Sequence, residues 1–362
     1  MIASRHRHAV IPIVALALFV FGLASHPNSG VLAVFGVVLA LAVLEAVHHA
    51  EVVAHRVGEP LGSLVLAISV TVIEVGMIIV LMSAQPDATA TVARDTVFSA
   101  AMIACNGIVG GALVIGTFRG RIATFNPEGV GGAVAAIAAL ATLCLVLPDY
   151  TLTTPGPYFS SAQLVFAAVA SLAIYIAFVS AQTIRHSDLF LEAEEASAAM
   201  PGSGHDDDRP SRRDALQSLG LLAISLVAVV GLAELTTPLI ENAVDDAGLP
   251  QSVVAVTIAL LVLLPEAISA LRASRRGDVQ KSLNLAYGSV MASIGLTIPV
   301  IALISLFFGY HLALGLPNAA IVLLALTVAV ATLTVVPGRS IMLQGIVHLG
   351  IFGAFIVLAF NP

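Results

Sequence analysis

Long apolar runs alternate along the chain with short polar breaks. Reading these runs between Pro, Gly and charged residues gives eleven candidate helices, at residues 9–25, 30–48, 62–84, 95–118, 129–147, 159–184, 215–240, 251–271, 282–308, 317–336 and 340–360. An α-helix needs about 20 apolar residues to cross the hydrocarbon core of a bilayer. A transmembrane β-barrel would instead show alternating segments of about 10 residues. The pattern predicts an all-α polytopic membrane protein with about eleven transmembrane helices.

Composition supports this class of protein. Hydrophobic residues make up 59% of the chain and charged residues only 10%, whereas a soluble domain is roughly one quarter charged. Cys105 and Cys144 lie inside apolar runs and are predicted to be free apolar residues. The sequence shows no phosphate-binding glycine loop, no nucleophile elbow and no basic patch for nucleic acid. We therefore expect no enzymatic activity, no cofactor and no nucleic-acid partner, and the lipid bilayer as the surroundings.

The positive charges predict the orientation in the membrane. With the N-terminus in the cytoplasm, every Lys and Arg falls in an inside segment except Arg94. The inside set is Arg5, Arg7, Arg56, Arg119, Arg121, Arg185, Arg209, Arg212, Arg213, Arg272, Arg275, Arg276, Lys281 and Arg339. This positive-inside bias predicts a protein of the inner cell membrane with a cytoplasmic N-terminus and an outer C-terminus.

The helices divide into two halves of opposite orientation. Residues 1–29 form an extra N-terminal helix, residues 30–184 and 215–362 form two five-helix halves, and residues 185–214 form an acidic linker. Because five is odd, the halves enter the membrane from opposite sides, as in the inverted repeats of secondary transporters. The linker is a flexible cytoplasmic segment, or alternatively a cation-sensing loop built on its "HDDD" sequence.

Two glutamates interrupt very apolar helices. Glu74 stands within "SVTVIEVGMIIVLM" and Glu266 within "ALLVLLPEAISAL", each in the second helix of its half. A charge at the centre of a membrane helix costs about 3 kcal/mol, and neither run contains a Lys or Arg to offset it. Carboxylate oxygens suit a hard cation such as Ca²⁺, and protons neutralise the same oxygens. One site that holds a cation or protons in turn predicts an antiporter.

Neighbouring residues extend the predicted cation site. Thr71 precedes Glu74 by three residues and so shares its helix face. Aligning Arg94 with Lys281 places Asn106 opposite Ser293 without a gap. Pro265 frees a backbone carbonyl, which predicts local unwinding and a further oxygen ligand. The predicted metal ligands are Glu74, Glu266, Asn106, Ser293, Ser289 and Thr71, with Glu74 and Glu266 also carrying protons; ordinary helix packing is the alternative for the small residues.

Three segments resemble a known family. They read "HAEVVAHRVGEPLGSLVLAISVTVIEV", "ARDTVFSAAMIACNGIVGG" and "LLPEAISALRASRRGDVQKSLNLAYGSVMASIGLTIP". They are similar to the bacterial calcium/proton antiporters of the cation/calcium exchanger superfamily. The resemblance implies eleven helices with two inverted repeats, calcium efflux driven by proton entry, and an ion-binding role for Glu74 and Glu266. The family also includes sodium and potassium transporters, so a monovalent cation/proton antiporter is the alternative.

A polar stripe occupies the cytoplasmic end of the second helix. His48, Glu51 and His55 recur at spacings of three and four residues in "EAVHHAEVVAHRVGE". One interpretation is a pH sensor, because histidine titrates near cytoplasmic pH, and the simpler one is a solvated helix face. Glu234, near the outer end of the seventh helix, either lines an exit path or lies at the membrane interface.

Overall fold

The computed structural model describes residues 2–25, 27–58, 61–84, 90–118, 122–190, 210–309 and 311–362. Arg119, Arg121 and most of the predicted linker, residues 191–209, lie outside the described residues. The helices are α1 (Ile2–Ala24), α2 (Ser29–Val57), α3 (Leu61–Ala84), α4 (Val92–Met102), α5 (Val109–Thr117), α6 (Pro127–Ala141), α7 (Ser161–Ser180), α8 (Arg212–Asp246), α9 (Ser252–Arg276), α10 (Val279–Ala292), α11 (Ile298–Phe308), α12 (Asn318–Val335) and α13 (Met342–Phe360).

Several of these helices are joined by π-helical turns. The π-helical segments are π1 (Ile103–Ile108), π2 (Thr142–Val146), π3 (Ala181–Arg185) and π4 (Ser293–Thr297). Short 3₁₀ turns follow at Leu147–Tyr150 and Ser187–Phe190. Strands β1 (Ala123–Thr124) and β2 (Arg339–Ser340) pair antiparallel, with Ala123 opposite Ser340. The chain is therefore almost entirely helical over the described residues.

The predicted membrane class and helix count are confirmed. Ten helical segments among the described residues are long and apolar enough to cross a membrane, and the shorter apolar helix His8–Ala24 precedes them. The main difference concerns α2, which we expected to end at residue 48 but which continues to Val57. It stops where Gly58 adopts a φ of 77°, a left-handed conformation that favours glycine. The polar stripe is thus helical throughout.

The described helices form two compact units. Unit I comprises Met1–Pro86 and Gly204–Pro265, and unit II comprises Asp87–Ser203 and Glu266–Pro362. Each unit draws on both predicted five-helix halves, and the boundary falls within α9. The domain boundaries of the two halves stay a prediction.

Unit I is built around α8. This helix packs against α1, α2 and α3, and α2 also packs against α3. Glycines allow the helices to approach closely: a Cβ at Gly231 would overlap the Phe19 ring, and one at Gly76 would overlap the Val230 side chain. Small residues at helix contacts are the usual means of close packing in membranes. These contacts hold α3 firmly in unit I.

Unit II contains a buried extended segment between α11 and α12. Residues 312–316 are all buried, and their backbone N–H groups find carbonyl partners on other segments. Ala313 donates to Ala90 (3.1 Å), Leu314 to Pro157 (3.0 Å) and Leu316 to Leu145 (2.9 Å). Because buried backbone groups must be paired, these bonds allow a non-helical segment to lie inside the protein.

Arg94 fixes this segment to α4. The side chain is 9% exposed, and its Nη1 donates to the Gly315 carbonyl oxygen at 2.7 Å while its Nε donates to Asp95 Oδ1 at 2.8 Å. A Cβ at Gly315 would collide with the Asp149 carboxylate, which explains glycine there. The one positive charge predicted on the outer side is therefore a buried structural group.

We expect Arg94→Leu to lower the free energy of unfolding by about 1.5–3 kcal/mol, because hydrogen bonds to a charged donor are lost and a buried carbonyl is left unpaired. Denaturant unfolding in detergent micelles measures the change. Arg272→Leu, at an exposed arginine, is the matched control and should stay within about 0.5 kcal/mol of the wild type. Equal stability of the Arg94→Leu variant and the wild type would contradict the anchoring role.

Candidate functional site

Glu74 is buried at the middle of α3. It is 3% exposed, and the residues around it on the helix, Ile73, Met77 and Ile78, are at most 2% exposed. One turn earlier, Thr71 is 6% exposed. Its Oγ1 is buried and has no hydrogen-bond partner among the described residues. Unit I thus presents a carboxyl group and an available hydroxyl oxygen one helical turn apart.

Glu266 lies on α9 in unit II and is partly exposed. The expected unwinding at Pro265 is wrong, since α9 is a continuous helix from Ser252 to Arg276. Apolar helices of membrane proteins tolerate proline because neighbouring groups compensate for the lost hydrogen bond. The missing N–H of Pro265 still leaves the Leu261 carbonyl without its usual i+4 donor. The Leu261 carbonyl oxygen therefore loses its usual donor although the helix is not broken.

Asn106 lies on π1 and is fully buried. Its Nδ2 donates to Thr327 Oγ1 on α12 at 2.9 Å, and its Oδ1 is 3.1 Å from Nδ1 of His348 on α13. The Nε2 of His348 is 3.2 Å from Thr334 Oγ1. The predicted ligand Asn106 is thus the centre of a buried polar cluster in unit II.

Sequence reasoning missed His348. A histidine inside an apolar membrane span is costly unless it has partners, and this signal was present in "GIVHLG". The partners Asn106, Thr327 and Thr334 come from distant parts of the chain, so only the fold reveals the cluster.

Ser293 and Ser289 lie where α10 meets π4. Ser293 is buried and begins π4, whereas Ser289 is partly exposed. The sequence alignment that places Asn106 opposite Ser293 therefore pairs two π-helical segments, one from each half of the chain. Short π-helical bulges are frequent at functional sites.

The predicted stripe of His48, Glu51 and His55 is not one uniform face. The His48 ring stacks on the His8 ring of α1, with centroids 4.1 Å apart. His8 Nδ1 lies 2.9 Å from Glu45 Oε2, and His49 Nε2 lies 3.1 Å from the His8 carbonyl oxygen. His55 is exposed and Glu51 partly exposed. A cluster of His8, Glu45, His48 and His49 thus joins α1 to α2.

No three His, Cys, Asp or Glu side chains in the described part of the chain are grouped so that they could hold a metal ion. Glu234 lies on an exposed face of α8.

The ten long apolar helical segments among the described residues, one of which carries the buried Glu74, define a multi-span membrane protein. The chain belongs to the sodium/calcium exchanger protein family, whose model matches residues 28–184 and again residues 217–361. The resemblance to the cation/calcium exchanger superfamily is thereby confirmed.

Two curated relatives are similar over most of their length. The putative ionic transporter y4hA of Sinorhizobium fredii (strain NBRC 101917 / NGR234) is 44% identical over 321 residues, which cover 89% of this chain and 86% of the relative. The sodium-potassium/proton antiporter ChaA of Escherichia coli (strain K12) is 33% identical over 366 residues, which cover 99% of this chain and 98% of the relative.

Two solved structures share the fold. Native YfkE superposes with a TM-score of 0.71 at 15% identity, covering 98% of this chain and 100% of that chain. The H⁺/Ca²⁺ exchanger CAX also gives 0.71, at 14% identity, covering 98% of this chain and 89% of that chain. The predicted fold class is confirmed.

We expect the double variant His8→Gln/His48→Gln to flatten the pH dependence of cation transport while leaving the maximal rate largely intact. Stacked imidazole rings repel once both are protonated, so acid loosens the α1–α2 contact in the wild type. Transport rates measured between about pH 5 and 8 check this. His55→Gln, at an exposed ring, is the control and should retain the wild-type profile. Loss of transport at every pH would point to a structural role of the cluster.

Proposed function

We propose that the protein is a secondary antiporter that exports Ca²⁺ in exchange for H⁺ by alternating access. Glu74 and Glu266 together bind either the cation or protons. The observation that carries the proposal is the burial of Glu74 in an apolar helix beside the Thr71 oxygen, which has no partner among the described residues. The positive-inside charge pattern supports an inner-membrane location with a cytoplasmic N-terminus.

The exchange follows from the cost of buried charge. A bare carboxylate in a low-dielectric surrounding is costly, and either a proton or a cation offsets the charge of the buried Glu74. The two occupants compete for the same oxygens. Release of one on either side of the membrane therefore prepares the site for the other, which is the requirement for coupled exchange.

Neutral oxygens complete the proposed coordination. Ca²⁺ takes six to eight oxygen ligands, more than two carboxylates supply. Thr71 Oγ1 and the Leu261 carbonyl are candidates in unit I. Asn106, Ser289 and Ser293 remain predicted ligands in unit II, and the two π-helical segments support this assignment because their backbones depart from regular α-helical hydrogen bonding.

A monovalent cation/proton antiporter is the second candidate. The similarity to ChaA, a sodium-potassium/proton antiporter with 33% identity over nearly the whole chain, favours it. The same two-glutamate chemistry serves Na⁺ or K⁺ with fewer protons per ion. Selectivity is therefore the central measurement.

We expect Glu74→Gln and Glu266→Gln each to abolish exchange while the protein still folds and inserts. Glutamine keeps the shape of the side chain but neither releases a proton nor offers a negative charge. Purified protein in proteoliposomes with an imposed pH gradient is assayed separately with Ca²⁺, Na⁺ and K⁺, and the wild type should move Ca²⁺.

Glu128→Gln, at an exposed glutamate on α6, is the matched control and should keep full activity. Retained exchange in the Glu74→Gln or Glu266→Gln variant would remove that residue from the site. Proton-coupled movement of Na⁺ or K⁺ without Ca²⁺ would establish the second candidate.

The proposed site also predicts the coupling ratio. Two glutamates carry two protons, whose charge equals that of one Ca²⁺, so the exchange should be electroneutral. The reversal point of Ca²⁺ transport is measured at a fixed pH gradient with the membrane potential clamped at several values, and it should not move. A reversal point that shifts with voltage would require a third titrating group, for which Glu234→Gln provides the first test.

A further inference from the structure

The contacts of the Asn106 amide give the cluster around His348 a direction of hydrogen bonding. The amide Nδ2 of Asn106 donates to Thr327 Oγ1, so the other amide atom, Oδ1, is the acceptor that faces His348. An amide oxygen only accepts. The His348 Nδ1 therefore carries a hydrogen, and in the neutral ring Nε2 accepts from the Thr334 hydroxyl.

The far end of the chain of bonds is also determined. Thr327 Oγ1 accepts from Asn106 and lies 3.5 Å from Met102 Sδ, to which its hydroxyl donates. Hydrogen bonds thus run from Thr334 through His348 and Asn106 to Thr327 and Met102. Asn106, His348, Thr327 and Thr334 are each at most 3% exposed, so water does not compete for these bonds.

Two helices hold the Asn106 amide from opposite ends. His348 on α13 contacts its oxygen and Thr327 on α12 accepts from its nitrogen, so the two bonds together hold the amide between these helices. An amide oxygen has two acceptor positions, and His348 uses one. The direction of the second position is set by the two bonds that hold the amide.

We infer that His348 is a positioning residue for cation binding. It acts through Asn106, whose oxygen it orients toward the bound ion. This inference rests on the proposed function, in which Asn106 contributes an oxygen ligand. Groups that hydrogen-bond to a metal ligand commonly set its orientation, and their loss typically weakens metal binding by about 10- to 100-fold.

Three substitutions at His348 separate its two nitrogens. In His348→Asn the side-chain amide nitrogen occupies about the position of Nδ1 and can still donate to Asn106. In His348→Gln the amide reaches the position of Nε2 and the contact with Thr334. His348→Leu keeps neither. None of the three side chains titrates, so a shared loss of activity would not reflect positioning.

The test measures KM and kcat for cation transport in proteoliposomes at one fixed pH. We expect His348→Leu and His348→Gln to raise KM by about 10-fold or more with a smaller change in kcat, and His348→Asn to stay within a few-fold of the wild type. Thr117→Val is the control, because Thr117 is a buried threonine whose hydroxyl donates to the Leu113 carbonyl of its own helix. Its KM should not change.

A double-mutant cycle with Asn106→Ala decides whether His348 acts through Asn106. Combining Asn106→Ala with His348→Leu should raise KM no further than Asn106→Ala alone. Additive increases in KM, an unchanged KM in His348→Leu, or a similar KM increase in all three His348 variants would overturn the inference. If His348→Leu does not fold, the comparison of His348→Gln with His348→Asn in both backgrounds gives the same decision.

The assay separates this inference from the proposed function. Wild-type protein that couples none of Ca²⁺, Na⁺ and K⁺ to protons would refute the proposed function. Wild-type protein that moves one of these ions allows the cycle to be measured with that ion, so an additive cycle would then refute only the positioning role of His348.

Discussion

The structure depends on the cost of placing polar groups in an apolar interior. Glu74, Asn106, His348 and Arg94 are all buried in a chain of which only 10% is charged. Each must be matched by a partner, an ion or a proton, because an unmatched polar group in such surroundings is expensive. For Arg94 the match is a carbonyl and a carboxylate of the protein. For Glu74 and Glu266 we propose that a bound cation or a proton offsets the charge.

The π-helical segments connect the fold to the proposed chemistry. Asn106 lies within π1 and Ser293 at the start of π4, where the backbone leaves the regular α-helical pattern. Such segments allow a long membrane helix to present polar groups without a full break. The helix is also continuous at Pro265, although the Leu261 carbonyl oxygen loses its usual backbone donor there. The unit II ligands we propose therefore come from small local departures within otherwise regular helices.

The two units are stabilised by different kinds of contact. In unit I, close helix packing at glycines and a histidine cluster join α1, α2 and α8. In unit II, the buried segment 312–316 depends on backbone hydrogen bonds and on Arg94.

The sequence alone determined the features that depend on local pattern. Long apolar runs predicted the membrane class and helix count, because helix length is a property of a single segment. Isolated glutamates in two of those runs predict site residues from the cost of charge, and this stays a prediction. The tertiary structure decided the partners. His348 contacts Asn106, and Arg94 contacts Gly315, across more than 200 residues of sequence. His48 stacks on His8 of α1, whereas His55 of the predicted stripe is exposed. No local pattern contains these pairs, since they arise only when separate helices pack together.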